Sequence, residues 1–291
     1  MHHPHQQKIA DYNELLDHLI RTAFLEDIGD GDHTSLSVIP ENWTGAAELL
    51  IKDEGVIAGI EVAKKVFQTF DPELQFEAFL SDGSTVSKGQ KAFRVSGRKV
   101  SILQTERLVL NIMQRMSGIA TQTAAYCERI APYKTQILDT RKTTPGMRIL
   151  DKEAVRLGGG ANHRMGLYDM IMIKDNHIDF AGGIEAAITR VKTYLREKDK
   201  SLAIEVEARN LNDVKEIVRI GGIHRIMLDN FSLEETREAV QFIHGCYETE
   251  SSGGITYDTI ADYAACGVDF ISVGALTHQI KSLDLSLKAS E

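Results

Sequence analysis

The first third of the chain mixes helical and strand periodicities. Apolar positions three and four residues apart predict helices over residues 12–24, 61–70 and 100–130. Short apolar runs bounded by turn residues predict strands within 44–60, 76–80 and 91–96. The acidic, glycine-rich stretch 26–40 predicts a loop. Together these patterns indicate a small α+β layer that ends near residue 97.

After residue 130 the rhythm changes to short apolar runs that each end in polar residues. The runs read TQILD, DMIMI, LAIEV, RIMLD, CYETE and DFISV, and helical patterns over 183–196, 211–218, 233–243 and 257–266 separate them. Strands that alternate with helices predict a parallel sheet with right-handed crossovers. No dinucleotide-binding glycine motif accompanies them, so we expect a TIM-like barrel, whole or incomplete, rather than a doubly wound sheet.

Composition and cysteine usage narrow the class of protein. The chain has 291 residues, of which 43% are hydrophobic and 26% charged, as expected for a globular protein with a sizeable core. The N-terminus lacks a basic-then-apolar signal pattern, so export is not expected. Cys127, Cys246 and Cys266 are widely spaced and odd in number, which predicts unpaired thiols in a reducing cytoplasm. The histidines at positions 2, 3 and 5 are better explained as a polar tail than as a metal site.

Charge is unevenly distributed along the chain. The formal net charge is −9, yet residues 141–175 hold seven Lys or Arg against four acids. A cationic segment on an acidic protein indicates a site for a small, highly charged anion and argues against a nucleic-acid or membrane surface. Arg141, Arg164 and Arg148 can each hold a carboxylate or phosphate with two hydrogen bonds, whereas Lys142 and Lys174 act as point charges.

Polar residues follow each predicted strand of the parallel sheet, where the active site of such a fold is expected. They are Arg141, Lys142, Lys174, Glu205 or Glu207, Asp229, Glu250, Ser251, Ser252, Gly253, Gly254, Gly274 and His278, with His163 and Arg164 in the preceding GGGANHR loop. The glycines allow backbone N–H groups to approach a phosphate closely, although an SSGG stretch by itself is also an ordinary turn.

The carboxylates at these strand ends admit several functions. Glu207 and Asp229 could hold Mg²⁺, bind sugar hydroxyls, stabilise an oxocarbenium-like centre, or form salt bridges with Lys142 and Lys174. A Schiff base on Lys142 or Lys174 would need an unpaired, desolvated amine, which the neighbouring acids disfavour. A calcium site at Asp27, Asp30 and Asp32 lacks the EF-hand spacing, so turn and helix-cap roles are favoured there.

Long motifs resemble the quinolinate phosphoribosyltransferase family (nicotinate-nucleotide pyrophosphorylase, carboxylating). They are EDIGDGDHTS, TERLVLNIMQRMSGIAT, DTRKTTPG, EAVRLGGGANHRMGLYDMIMIKDNH, EVEARN, IMLDN, SSGGI and VGALTH, and they span nearly the whole chain. The resemblance implies the conversion of quinolinate and phosphoribosyl pyrophosphate to nicotinate mononucleotide, pyrophosphate and carbon dioxide, with Mg²⁺ as cofactor.

The resemblance also implies a fold and an assembly. It implies an N-terminal open α+β sandwich domain over residues 1–115, with the C-terminal tail 280–291 packed back on it. An incomplete, seven-stranded TIM-like α/β barrel is implied over residues 116–279. The implied assembly is a homodimer in which Arg107 reaches the partner's site.

Residue roles follow by motif position. Arg107, Arg141, His163, Arg164 and Lys174 would bind the quinolinate carboxylates. Lys142, Glu207 and Asp229 would be catalytic, with Glu207 and Asp229 holding Mg²⁺ directly or through water. Substrate binding would also involve Thr140, Ser252, Gly253, Gly254, Val273, Gly274, Ala275 and His278. The choice of Glu207 over Glu205 rests on the motif and on period-two alternation.

Three rival functions remain open from the residues alone. A related phosphoribosyltransferase would use nicotinate or another anion, a Schiff-base aldolase would use Lys174 or Lys142, and an anion sensor would bind phosphate without turnover. Fold alone does not distinguish between them.

Overall fold

A computed structural model describes residues 11–290, so the histidines at positions 2, 3 and 5 lie outside the described part of the chain. Up to residue 157 the elements are α1 (Tyr12–Ile28), α2 (His33–Val38), β1 (Thr44–Ile51), β2 (Gly55–Val56), α3 (Ile60–Phe70), β3 (Gln75–Ala78), β4 (Thr85–Val86), β5 (Lys91–Arg98), α4 (Lys99–Arg129), β6 (Gln136–Leu138) and α5 (Arg148–Leu157). They are followed by β7 (Ile171–Ile173), α6 (Asp175–Ala181), α7 (Ile184–Glu197), β8 (Ile204–Ala208), α8 (Leu211–Ile220), β9 (Arg225–Asp229), α9 (Leu233–Ile243), β10 (Glu248–Ser252), α10 (Ile260–Ala264), β11 (Phe270–Ser272), α11 (Ala275–His278) and β12 (Leu285–Ser290).

The chain forms two compact units. Within the described residues, the first comprises 11–121, Thr144–Leu157 and 280–290, and the second comprises Gln122–Thr143 and Gly158–Gln279. The domain limits 1–115 and 116–279 stay predictions, because compactness alone does not show where each half folds independently.

The first unit is built on an antiparallel sheet with the strand order β12-β1-β5-β3. The last strand, β12, pairs with β1 and places Leu287 opposite Leu49. Helix α3 packs against β5 through Phe67 and Phe93, whose ring centroids lie 5.9 Å apart. Both aromatic side chains are fully buried, so this contact forms part of the core of the unit.

The predicted loop over residues 26–40 is wrong in part. Helix α1 continues to Ile28 and ends at Gly29, whose φ of 57° is readily accessible to glycine. Helix α2 then begins after Asp32, whose side chain accepts a hydrogen bond from the Ser35 N–H at 3.0 Å. Asp32 therefore has the helix-cap role that was considered for these acids.

The second unit contains a parallel sheet, as predicted, with the strand order β6-β11-β10-β9-β8-β7. Helices α7, α8 and α9 connect the successive strands β7 to β10. All five residues of β8 are buried, as expected for a strand covered on both faces. The parallel α/β class is therefore confirmed for this unit.

Six strands, rather than the seven expected, make up this sheet in the described residues. Ala161 forms one isolated parallel bridge with Leu138 at the far edge of β6. The strand does not continue because the next two residues bond elsewhere: Asn162 Nδ2 and the His163 N–H both donate to the Asp139 carboxylate. Side-chain bonds have thus replaced the ladder bonds of a seventh strand.

Strand β10 begins two residues later than the predicted run and reads ETESS. This polar sequence is nevertheless central, because β9 and β11 both pair with it. Its register places Ser252 beside Asp229, and β11 places Ser272 beside Leu138. The carboxyl ends of these strands therefore meet at one edge. Among the described residues, no helix has both the length and the apolar character needed to cross a bilayer.

Candidate active site

A cavity of about 960 Å³ lies at the carboxyl ends of the strands in the second unit. Thirteen of the predicted site residues line it: Thr140, Arg141, Lys142, His163, Arg164, Lys174, Asp229, Ser252, Gly253, Gly254, Gly274, Ala275 and His278. They come from five strand ends and one loop. Only the tertiary structure brings such distant segments of the chain together.

Three other predicted residues do not line this cavity. Glu207 is buried behind Lys174, and Val273 is buried in the core. Arg107 lies on α4 within the first unit. Their roles stay predictions.

Two arginines lie close enough in the cavity for their charges to interact. Burial and the nearby Arg141 guanidinium both lower the pKa of Arg164, which is still a cation at neutral pH. Arg164 Nη1 donates to the Met170 carbonyl at 3.2 Å, which holds the side chain across the loop. A pair of neighbouring cations with few acids around them is suited to binding a dianion.

Lys174 and Glu207 form the salt bridge that was considered for this pair. Lys174 Nζ lies 3.3 Å from Glu207 Oε2. The salt bridge engages the amine that a Schiff base would need free, so this contact disfavours a Schiff base on Lys174. Lys142 is placed by its backbone, since its N–H donates to Thr140 Oγ1 at 3.0 Å and its carbonyl accepts from Thr277 Oγ1 at 2.8 Å.

Asp229 is oriented by the residue that follows it. Asn230 Nδ2 donates to Asp229 Oδ2 at 2.8 Å, and the Asn230 N–H donates to the Ser252 carbonyl at 2.8 Å. Asn230 has a φ of 57°, a left-handed conformation that asparagine tolerates better than most residues. Gly253 lies against this turn, and a Cβ there would overlap Asn230 Oδ1.

Three glycines shape the turns that line one part of the cavity. Gly253 and Gly254 have φ values of 97° and 60°, so both occupy conformations that side-chain-bearing residues avoid. Gly274 precedes the short helix α11, and a Cβ at this position would lie 3.0 Å from both Lys142 Cδ and His278 Nε2. The absence of side chains therefore keeps space for an anion beside Lys142 and His278.

Beneath the cavity lies a buried ion cluster made of His163, Glu205, Glu250 and Arg225. His163 Nε2 is 3.0 Å from Glu205 Oε2 and 3.4 Å from Glu250 Oε2. Arg225 Nη1 donates to Glu250 Oε2 at 3.0 Å, and its guanidinium stacks on Phe270 at 3.9 Å from the ring centroid. Both glutamates are fully buried, so each depends on the other members of the cluster for compensation.

The buried ion cluster retains a proton near neutral pH. Burial opposes the charge on His163, but the two carboxylates outweigh this effect and raise its pKa to about 9. Burial and the Glu250 carboxylate raise the pKa of Glu205 to about 7. The Arg164 N–H donates to His163 Nδ1 at 2.7 Å, so Nδ1 is unprotonated and the ring carries its own proton on Nε2. The raised pKa values of His163 and Glu205 thus describe a proton shared within the cluster, with His163 Nε2 directed at Glu205.

His163, Glu205 and Glu250 also have the spacing of a metal triad. Their hydrogen bonding argues against that function. Because Nδ1 accepts a hydrogen bond, Nε2 is a donor and has no lone pair for a metal. Arg225 already supplies a cation to Glu250. The arrangement is therefore better described as an ion cluster than as a metal centre.

Carboxylates at both ends hold the loop that carries His163 and Arg164. Asp139 accepts from the His163 N–H at 2.9 Å. Asp169 accepts from the N–H groups of Met165 and Gly166 at 2.6 and 2.9 Å. Because Arg164 lies between these fixed points, its guanidinium enters the cavity from a defined position.

Sequence reasoning missed Asn230, Glu205, Glu250 and Arg225 as contributors to the site. Glu250 was noted only as a strand-end residue, and Glu205 was set aside in favour of Glu207. One signal was available, since a glutamate in a fully buried strand needs a partner. The sequence did not indicate which partner that would be.

Sequence models of one family match almost the entire described chain. The description "Quinolinate phosphoribosyl transferase, N-terminal domain" matches residues 32–117, and "Quinolinate phosphoribosyl transferase, C-terminal domain" matches residues 119–288. A quinolinate phosphoribosyltransferase (decarboxylating) of Nicotiana tabacum is 45% identical over 285 residues, which cover 93% of this chain and 81% of the relative.

Bacterial proteins give the same result. A probable nicotinate-nucleotide pyrophosphorylase (carboxylating) of Bacillus subtilis is 41% identical over 269 residues, covering 92% of this chain and 91% of the relative. The solved structure of the nicotinate-nucleotide pyrophosphorylase from Francisella tularensis is 40% identical, with a TM-score of 0.89 and coverage of 97% and 98% of the two chains. On this evidence the chain belongs to the quinolinate phosphoribosyltransferase family.

Proposed function

We propose that the cavity of the second unit is where this chain transfers a phosphoribosyl group from phosphoribosyl pyrophosphate to the ring nitrogen of quinolinate, with loss of carbon dioxide. The products are nicotinate mononucleotide and pyrophosphate, which places the reaction in the biosynthesis of NAD. The observation that carries the proposal is the meeting of Arg141, Arg164 and Lys174 with Asp229 and glycine turns in one cavity of a chain of this family.

Quinolinate carries two adjacent carboxylates, and two arginines and one lysine are available to hold them. Arg141 and Arg164 can each bind a carboxylate through two hydrogen bonds, and Lys174 adds a point charge. Thr140 and His163, which directly precede Arg141 and Arg164 in the chain, also line the cavity. Fixed cations would orient the ring so that its nitrogen faces the sugar.

Phosphoribosyl pyrophosphate would occupy the glycine side of the cavity. Ser252, Gly253 and Gly254 would present backbone N–H groups to the phosphates, and Gly274, Ala275 and His278 would form the second wall with Val273 behind them. Lys142, beside Gly274, would offset the charge of the phosphates.

The residues present fit a magnesium ion. Asp229 offers a carboxylate in the cavity, and Glu207 offers a second one that is now paired with Lys174. Mg²⁺ is commonly bound by one or two carboxylates, water and substrate phosphates, so Asp229 and Glu207, directly or through water, would hold it. When bound, the ion would neutralise charge on the pyrophosphate.

The reaction needs stabilisation of charge more than acid–base chemistry from the protein. The nitrogen lone pair forms a bond to the anomeric carbon while the carbon–oxygen bond to pyrophosphate breaks, and pyrophosphate leaves with the electron pair. Asp229 and Glu207 would stabilise the positive charge on the sugar. The carboxylate next to the new pyridinium nitrogen then leaves as carbon dioxide. Its bonding electrons remain on the ring carbon, which takes up one proton.

Architecture and assembly complete the proposal. The parallel sheet would curve into an incomplete barrel, since the first strand β6 lies beside the last strand β11 and Ala161 bridges to the far edge of β6. A homodimer would bring Arg107 of each copy to the partner's cavity. The three cysteines are unpaired, which supports a cytoplasmic location.

Turnover gives the primary test. Protein, quinolinate, phosphoribosyl pyrophosphate and Mg²⁺ should yield nicotinate mononucleotide and carbon dioxide in equal amounts. Nicotinate in place of quinolinate should give no comparable rate, and borohydride should trap no adduct on Lys174 or Lys142. Absence of product with quinolinate, or faster turnover with nicotinate, would reject the proposal.

A mixing experiment tests the dimer. Arg107→Ala and Asp229→Asn should each be nearly inactive alone, because each lacks one part of every site. Mixed dimers would contain one site in which both residues are intact, so mixing should restore part of the activity. If no activity returns after subunit exchange has been verified, Arg107 does not act across an interface.

A further inference from the structure

The buried ion cluster is linked to the substrate cavity through the two nitrogens of one histidine ring. His163 Nε2 faces Glu205 Oε2 at 3.0 Å, and His163 Nδ1 accepts from the Arg164 N–H at 2.7 Å. Both ring nitrogens are thus used within the protein. The ring joins a buried carboxylate to the peptide of a cavity arginine.

We infer that Glu205, supported by Glu250 and Arg225, is a positioning residue that acts through His163 to hold Arg164 in the geometry that binds the substrate dicarboxylate. This inference rests on the proposed function and assigns a role to residues outside the substrate cations. Arg164 is the binding group, and Glu205 fixes it from beneath.

Three observations indicate that Glu205 acts on Arg164 through His163 and does not merely fill space in the core. Glu205 is fully buried, whereas Glu207, two residues further along β8, pairs with Lys174 at the cavity. The Arg164 N–H donates to the ring rather than to a backbone carbonyl, so rotation of the ring would leave that N–H without its bond. Arg164 also has a neighbouring cation in Arg141, and like charges would drive a less constrained side chain away.

This positioning role should affect the binding of only one of the two substrates. Phosphoribosyl pyrophosphate would bind to the turns that contain Gly253, Gly254 and Gly274, and none of these contacts Glu205 in the described hydrogen bonds. Loss of the Glu205–His163 contact should therefore weaken the binding of quinolinate and leave that of phosphoribosyl pyrophosphate nearly unchanged. A purely structural role would weaken both or neither.

A matched pair of variants separates the polar contact with His163 from the charge of Glu205. Glu205→Gln and Glu205→Leu are both neutral, but only the glutamine offers an oxygen to the His163 Nε2–H. We expect Glu205→Leu to raise the Kd and KM for quinolinate about tenfold or more, with Glu205→Gln much closer to wild type. In both variants the values for phosphoribosyl pyrophosphate should stay within about twofold of wild type, because none of its contacts has changed.

Calorimetric titration of the full-length chain with quinolinate, and separately with phosphoribosyl pyrophosphate, measures both constants without turnover. Absence of product formation by the wild type would reject the proposed function, whereas equal quinolinate affinity in the two variants would overturn the positioning role alone. A parallel loss of affinity for both substrates would also overturn it. If Glu205→Leu does not fold, Glu205→Met provides the same comparison with an apolar side chain of similar volume.

Discussion

The two layers of charge at the strand ends use the same residue types in opposite ways. In the cavity layer, Arg141 and Arg164 lie side by side without a carboxylate salt bridge among the described ion pairs, and the half-exposed Lys174 pairs with the buried Glu207. In the buried ion cluster, Arg225 binds two glutamates and His163 faces two carboxylates.

This difference follows from depth along the strands. Glu205 and Glu207 lie on the same face of β8, two residues apart, yet Glu205 belongs to the buried ion cluster whereas Glu207 pairs with Lys174, which lines the cavity. The carboxylates of the buried ion cluster are fully buried, so their charges must be compensated by neighbouring groups. Charges at the cavity could instead be compensated by a substrate anion when one binds. We therefore expect the free energy of unfolding to depend mainly on the buried ion cluster and the affinity for substrate to depend mainly on the cavity layer.

The largest effect should come from a substitution in the buried ion cluster, where it would lower the free energy of unfolding. Arg225→Met removes the cation between Glu248 and Glu250 and leaves a buried carboxylate uncompensated, which should lower the free energy of unfolding by about 3–5 kcal/mol. Urea denaturation measures this change. Arg219→Met removes an exposed pair with Glu185 and should leave the free energy of unfolding nearly unchanged. Equal losses in the two variants would show that burial of the Arg225 pair is unimportant.

Substitutions in the cavity layer should change the affinity for substrate rather than the free energy of unfolding. Arg164→Ala should cost about 2–5 kcal/mol in transition-state binding, because a desolvated contact with a substrate carboxylate is lost. Steady-state kcat/KM for quinolinate gives this value. Arg190→Ala serves as control, since Arg190 shares a smaller groove with Arg164 but does not line the cavity. Wild-type turnover in Arg164→Ala would remove this arginine from the site.

Asp229, a carboxylate of the cavity layer, should affect the chemical step. Asp229→Asn keeps the shape and an acceptor for Asn230 but removes the charge, which should lower kcat by about 10²–10³. Single-turnover rates at saturating substrate report this step. Asp258→Asn, another acid in the lining of the cavity, should have little effect. Comparable losses in both variants would indicate that the overall negative charge of the cavity matters, rather than the position of the Asp229 carboxylate.

The glycine turn should show the smallest of these effects. Gly253→Ala places a methyl group against Asn230 in a left-handed conformation and should cost about 1–3 kcal/mol, seen as a raised KM for phosphoribosyl pyrophosphate. Gly254→Ala shares the positive φ but has open space around it, so it should lose less. A greater loss at Gly254 would mean that a ligand, not Asn230, limits the space.

Much of the fold could be predicted because periodicity is a local property. The helix over 233–243 and the parallel arrangement of the second unit were confirmed, and α4 (Lys99–Arg129) differs from its predicted limits by one residue at each end. The errors have tertiary causes. Strand β10 is polar because it carries the buried ion cluster, and the seventh strand is reduced to a bridge because Asp139 binds the residues after Ala161.

The candidate site divides in the same way. The sequence by itself determined the family, the cationic character of residues 141–175 and the glycines that follow β10 and β11, because motif identity, net charge and residue type do not depend on folding. Only the tertiary structure decided that Glu205 joins His163 and Arg225 while Glu207 joins Lys174. Period-two alternation assigns both glutamates to one face. Depth, and with it the partner of each charge, is set by the strands packed on either side.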